Sequence, residues 1–183
     1  TLRTTRGHQI ASRLNNVGAD VIVITEGANE LLPAGGNAVD AGTDWGYANP
    51  ALERRKVIVW SRFPMSVQSV GEHGGTLGRL VVVHTEAPDG TLRIIGVCIP
   101  WKDAHVSTGR GDARPWSEHL DHLDQLDGML TGLDDTVPTI IAGDFNQRIP
   151  RVRQPVHVAD RMAEVFRNWS IHTAGELEHG PLI

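Results

Sequence analysis

An α/β sandwich with mixed sheets is the fold class the sequence predicts, and three observations predict it. Runs of apolar β-formers are interspersed with stretches of helical spacing. Two of those runs, "RLVVVHTE" and "TLRIIGVCI", are divided only by a short turn segment. They read as a hairpin and bring antiparallel pairing into the chain. Finally, 183 residues with 40% hydrophobic and 21% charged content suit one domain, spanning 1–183, with a real core.

Each element has a local reason. Residues 5–17 place Ile10, Leu14 and Val17 at helical spacing, and Gly18 ends that run. "ADVIVITEG" follows as a strand whose unbroken apolar character predicts burial on both faces. From Ala28 to Pro50 the chain is rich in Gly, Ala, Asn and Pro, which predicts a long loop. "KVIVWS" is the next strand, "RFP" interrupts it, and "MSVQSV" resumes the extended character. In the hairpin, Asp89 and Gly90 are expected to supply the turn. Pro115 stands where a helix begins, with Trp116, Leu120, Leu123 and Leu130 along one face. "VPTIIAG" reads as another buried strand, and Met162, Val165, Phe166 and Trp169 mark a last short helix.

Composition narrows the function. The net charge of −5 excludes bulk electrostatic coating of nucleic acid. A single cysteine, Cys98, excludes an intramolecular disulfide framework and a cysteine-rich zinc site. No apolar run approaches the ~18 residues of a membrane span, and no signal-like segment opens the chain, so the expected location is cytoplasmic.

Two strands end in acids, "VIVITE" at Glu26 and "TIIAGD" at Asp144, with Asn146 two residues beyond the second. A carboxylate at the carboxyl end of a buried strand is held rigidly yet open to solvent, as catalytic groups in α/β proteins often are. One or two such carboxylates suffice for a hard cation that keeps its waters. Taken alone, each also fits a polar strand end or an Asx-type turn.

In order, "DVIVITE", "RKVIVWSRFPM", "RIIGVCIP" and "IIAGDFN" resemble the endonuclease/exonuclease/phosphatase family of metal-dependent phosphoesterases, from about Asp20 to Asn146. The resemblance implies a DNase I-like, four-layer α/β/β/α sandwich of two mixed sheets, with the site at one end between them. It implies Glu26 as the metal ligand, Asp144 as the group that directs or deprotonates water, and Asn146 as the residue that positions Asp144 and the phosphate. Mg²⁺, with Mn²⁺ as an alternative, is the implied cofactor.

The chain also departs from that pattern. The family's asparagine-bearing first strand and its final Asp-His strand have no counterpart here. Asn15 and Asn16 lie in a helix, and His179 in "GELEHGPLI" lacks the preceding Asp. The expectation is therefore a domain truncated at both ends. Cys98 stands where many members place His or Tyr, leaving the phosphate-contacting group unassigned.

Candidates for that contact are His105, in the loop beyond Cys98, and Arg148 and Arg151, which with Arg153 follow the Asp144 motif and offer guanidinium forks. Lys102, Arg110 and Arg114 read as ordinary loop solvation diluted by Asp103 and Asp112. His119 and His122, spaced i, i+3 among acids, read as a hydrated helix face. The expected function is a Mg²⁺-dependent phosphoester hydrolase, nuclease-type first, acting on a phosphoester such as nucleic acid. The alternatives are a lipid or small-molecule phosphoesterase, and a catalytically incomplete member serving as a binding module. No apolar loop of the kind that enters a membrane argues for the lipid.

Overall fold

The computed structural model describes residues 4–47 and 52–172; "GELEHGPLI", with His179, lies outside them. The chain divides into two compact units, one running to Asn146 and one from Gln147 onward.

The first unit opens with helix α1 (Thr5–Val17), whose N-terminus is capped by Thr4 Oγ1 accepting from the Gly7 amide at 3.0 Å. Gly18, with φ of 64°, closes it in the left-handed conformation that glycine adopts without penalty. Seven strands follow: β1 (Val21–Gly27), β2 (Asn37–Asp40), β3 (Arg55–Ser61), β4 (Met65–Val70), β5 (Leu80–Ala87), β6 (Gly90–Cys98) and β7 (Thr139–Asp144). They form a three-stranded sheet of order β1-β3-β2 and a four-stranded sheet of order β4-β5-β6-β7. The first sheet is antiparallel throughout. The second is mixed, because β7 pairs parallel to β6 after a crossover through helix α2 (Ser117–Thr131).

The two sheets pack face to face, β1 and β3 against β5, β6 and β7. Val57, Val59, Val81, Val83, Ile94 and Cys98 fill the space between them, each at most 1% exposed. Burying such side chains stabilises the fold by about 1.5–3 kcal/mol apiece. One polar link crosses this core, Ser61 Oγ to Thr85 Oγ1 at 2.7 Å, and both residues are fully buried. Gly96 lets the sheets approach, since a Cβ there would meet Val59 Cγ2 at 2.7 Å and Val57 Cγ2 at 2.9 Å. The second unit is built on helix α3 (Val156–Val165), which buries Val158, Met162 and Val165.

Several expectations need correction. Neither β1 nor β7 is buried on both faces, because each is the outer strand of its sheet; Ile140 is 50% exposed. The predicted loop holds strand β2, which pairs along β3 from Asn37–Ser61 to Asp40–Ile58. In the hairpin Ala87 pairs with Gly90, so Pro88 and Asp89 are the turn residues and Gly90 opens β6. On α1, Val17 is 68% exposed and belongs to no core face. On α2 the buried face is His119, His122, Leu123 and Leu126, rotated from the predicted stripe. Both histidines are fully buried rather than hydrated: His119 Nδ1 donates to the Pro100 carbonyl at 2.7 Å, and His122 Nδ1 to the Gly75 carbonyl at 2.9 Å. Among the described residues no helix is long and apolar enough to cross a membrane.

Candidate active site

Parallel pairing of β6 and β7 runs in register from Arg93–Thr139 to Cys98–Asp144, so Asp144 emerges beside Cys98 at the end of the sheet. Gly143 precedes it with φ of 144°, and a Cβ there would stand 1.9 Å from the Val97 carbonyl oxygen. Only glycine fits at that step, one residue before the carboxylate. Asn146, at φ of 50°, then folds back on Asp144. Its backbone N–H donates to Asp144 Oδ1 at 2.9 Å, and its Nδ2 donates to Oδ2 at 3.1 Å and to the Ile99 carbonyl at 2.8 Å. Both carboxylate oxygens are thus held by one residue, itself tied to the strand-end next door. Both amide hydrogens of Asn146 are committed by these bonds, so it positions Asp144 and has no N–H left for a phosphate.

Glu26, the last residue but one of β1, has φ of 54°, a left-handed conformation that costs a residue with a Cβ about 1–2 kcal/mol. Such strain gathers where the surrounding structure imposes it for a reason. The carboxylate, 42% exposed, is hydrogen-bonded by Lys56 and by Arg54. Burial pushes its pKa up, but the Lys56 bond and the charges of Lys56, Arg54 and Arg79 outweigh that, and the net value lies below the ordinary one. Glu26 is therefore an anion at neutral pH.

Glu26 and Asp144 both lie near Cys98, toward one end of the sandwich. Strand β1 packs on β7, and the charges of both carboxylates act on the thiol of Cys98. That thiol is buried, and burial pushes its pKa up to about 11 against the opposing pull of Arg79 and Lys56. A thiol so placed is neutral and makes no nucleophile.

The other candidates sit differently. His105 is 2% exposed rather than solvated. Its Nδ1 accepts from the Arg110 amide at 3.2 Å, which places the proton on Nε2, and Nε2 donates to the Trp45 carbonyl at 3.1 Å. Tyr47 packs on the ring with centroids 4.5 Å apart. Burial and the Arg110 charge lower its pKa, so it is a neutral pin for the loop. Lys102 pairs with Asp103, and Arg110 with Asp112 and Glu118. Arg148 and Arg151 belong to the second unit, where the Arg148 carbonyl accepts from Gln154 Nε2 at 2.6 Å and Arg151 Nη1 donates to the Gln154 carbonyl at 3.2 Å.

One residue escaped the sequence. Arg79, 4% exposed, lies beside Cys98, whose amide donates to the Arg79 carbonyl at 2.9 Å. An arginine at the mouth of a valine-rich strand gives no local sign that it will be buried.

Among the described residues no three His, Cys, Asp or Glu side chains are grouped to share a metal ion. Glu26 is a carboxylate that could hold a hard cation whose shell water completes.

Solved structures with this arrangement of elements share little sequence with the chain. An AP endonuclease from Archaeoglobus fulgidus superposes with a TM-score of 0.61 at 15% identity, covering 89% of this chain and 65% of its own. The endonuclease domain of a telomere-specific non-LTR retrotransposon gives 0.57 at 10%, covering 91% and 67%. A beta toxin from Staphylococcus aureus, a mutant with bound magnesium ions, gives 0.58 at 12%, covering 87% and 62%. The chain thus spans about three fifths to two thirds of each, and the likeness is one of fold. No curated protein matches the sequence. The sequence profile of the Endonuclease/Exonuclease/phosphatase family matches residues 2–161, nearly the whole of the first unit and the start of the second, and the chain belongs to that family.

Proposed function

We propose that this protein is a divalent-metal-dependent phosphoester hydrolase of nuclease type, with Glu26 as metal ligand and Asp144 as the base that directs water. The observation that carries the reading is the Asp144–Asn146 pair at the same end as the anionic Glu26. An unrestrained carboxylate would sample several rotamers. Two bonds from Asn146 and the anchor to Ile99 hold this one in place, which is what aligning a water for in-line attack requires. Each Asp144 oxygen keeps a further lone pair with which to accept the proton of that water.

Mg²⁺ or Mn²⁺ on Glu26 would neutralise phosphate charge. Membership of a family of phosphoesterases supports the substrate class. Within it nucleic acid is preferred, because two of the solved structures compared above are named endonucleases. The ion pairs of Glu26 with Lys56 and Arg54 favour a second reading, a module that binds a phosphoester without cleaving it.

A panel of plasmid DNA, abasic oligonucleotide, RNA, phosphoinositide and a generic phosphodiester, run with Mg²⁺, Mn²⁺ or EDTA, separates the two. Turnover that needs the metal and stops on chelation is the expected result. Full activity in EDTA contradicts the metal role, and binding without turnover on any substrate favours the module.

A further inference from the structure

We propose that Arg79 is the phosphate-contacting cation of this site, supplying from the start of β5 the donor that Cys98 cannot supply from the end of β6. The proposal rests on the phosphoester reading above and names the group that recognises the phosphate oxygens.

Placement comes first. The Cys98 amide donates to the Arg79 carbonyl at 2.9 Å, and the Ile99 amide donates to the Asp144 carbonyl at 2.9 Å. Arg79, Cys98 and Asp144 therefore stand in a row across three neighbouring strands, at the end where Glu26 also lies. The Arg79 backbone is fixed on its other side by its own amide donating to the Thr76 carbonyl at 2.8 Å.

Charge points the same way. Arg79 is 4% exposed, yet among the described residues no carboxylate forms an ion pair with it. Among the described residues its guanidinium makes one hydrogen bond, Nη1 to the Cys98 carbonyl at a long 3.4 Å, out of five N–H groups. Its other guanidinium nitrogens are not sealed from solvent, which leaves them open to donate to an anion. The charge of Arg79 acts on Glu26 and Cys98, which places the cation within reach of both.

What the neighbours can offer points there too. Asn146 has spent both amide hydrogens, His105 both ring nitrogens, and Lys56 and Arg54 bond Glu26. A guanidinium fork matches two oxygens of a tetrahedral phosphate, and Arg79 is the buried one beside the strand-end acids.

The test is calorimetric titration of inorganic phosphate into the wild-type protein, Arg79→Met, Arg79→Lys and Asp144→Asn, with circular dichroism to check folding and KM measured on any substrate turned over. Wild type should bind phosphate, and Asp144→Asn, which removes a negative charge beside the site, should bind it no more weakly. Arg79→Met should bind about tenfold or more weakly, with KM rising to match, and Arg79→Lys should fall between. If Arg79→Met does not fold, Arg79→Lys decides: a folded variant with weaker phosphate binding supports the contact, and one with wild-type affinity and KM overturns it. A purely structural arginine would lower the melting temperature without changing phosphate affinity, and that result also overturns it. Wild type that binds no phosphate does so too. Binding that depends on Arg79 without turnover of any phosphoester leaves the contact standing and removes the hydrolase reading instead.

Discussion

Strands β6 and β7 run side by side in the same sheet, with apolar sequences that look alike, yet they serve different ends. Strand β6 is buried without a break from Arg93 to Cys98, with β5 and β7 on either side and the other sheet across its face. Strand β7 is partly open, Ile140 is half exposed, and the strand ends in a glycine and an acid. Strand β1 repeats the pattern in the first sheet, outermost and carrying a left-handed Glu26 one residue before its end. The interior strands carry the stability, and the outer ones carry the candidate chemistry. A carboxylate must meet water and substrate, so it is carried where the sheet stops being covered.

Substitution can break that contrast. Ile95→Ala, at a fully buried position on β6, should lose about 2–5 kcal/mol in denaturant unfolding. Ile140→Ala on β7 should lose about 1 kcal/mol or less. Equal losses would mean that β7 is covered in solution and that the contrast is false.

A buried imidazole on α2 sharpens it. Burial pushes the pKa of His122 down to about 4, against the opposing hydrogen bond to Gly75. The unfolded chain takes up that proton near the ordinary value of 6.5, and the folded one does not until about 4. Between those values the unfolded state binds more protons, so stability is complete above 6.5 and falls as the pH drops toward 4. The fall amounts to ~3 kcal/mol at its low end. His119, also lowered by burial, adds to it. Unfolding midpoints across this range should show the decline, with His122→Asn flattening part of it. A flat profile in the wild type would contradict the buried, neutral imidazole.

The smallest effect belongs to Glu26. Removing one of its cations with Lys56→Met should raise the Glu26 pKa, read by NMR titration, and tighten Mn²⁺ binding several-fold, read by electron paramagnetic resonance. Weaker Mn²⁺ binding would show that Lys56 orders the site rather than competing for it.

Much of this was legible in the sequence, for physical reasons that also mark where legibility ends. The strand-end acids could be read because a run such as "TIIAGD" is a local signal, and the hairpin because its turn is short. Strand β2 could not, since "NAVD" has no apolar alternation and exists by pairing with the outer side of β3. His119 and His122 misled because polarity suggests solvent, whereas two backbone carbonyls distant in sequence make their burial tolerable. Which strand lies outermost, and that Arg79 ends up beside Cys98, are facts of sheet order that no window of residues contains.

The central claim is that Asp144, held by Asn146, directs the attacking water. It is tested most directly by steady-state kinetics of Asp144→Asn, at saturating Mg²⁺, on whichever phosphoester the wild type cleaves. The amide keeps the shape and loses the base. The account predicts a fall in kcat of roughly 10²-fold or more with KM little changed. A variant with wild-type kcat, or one whose loss lies wholly in KM, would contradict it.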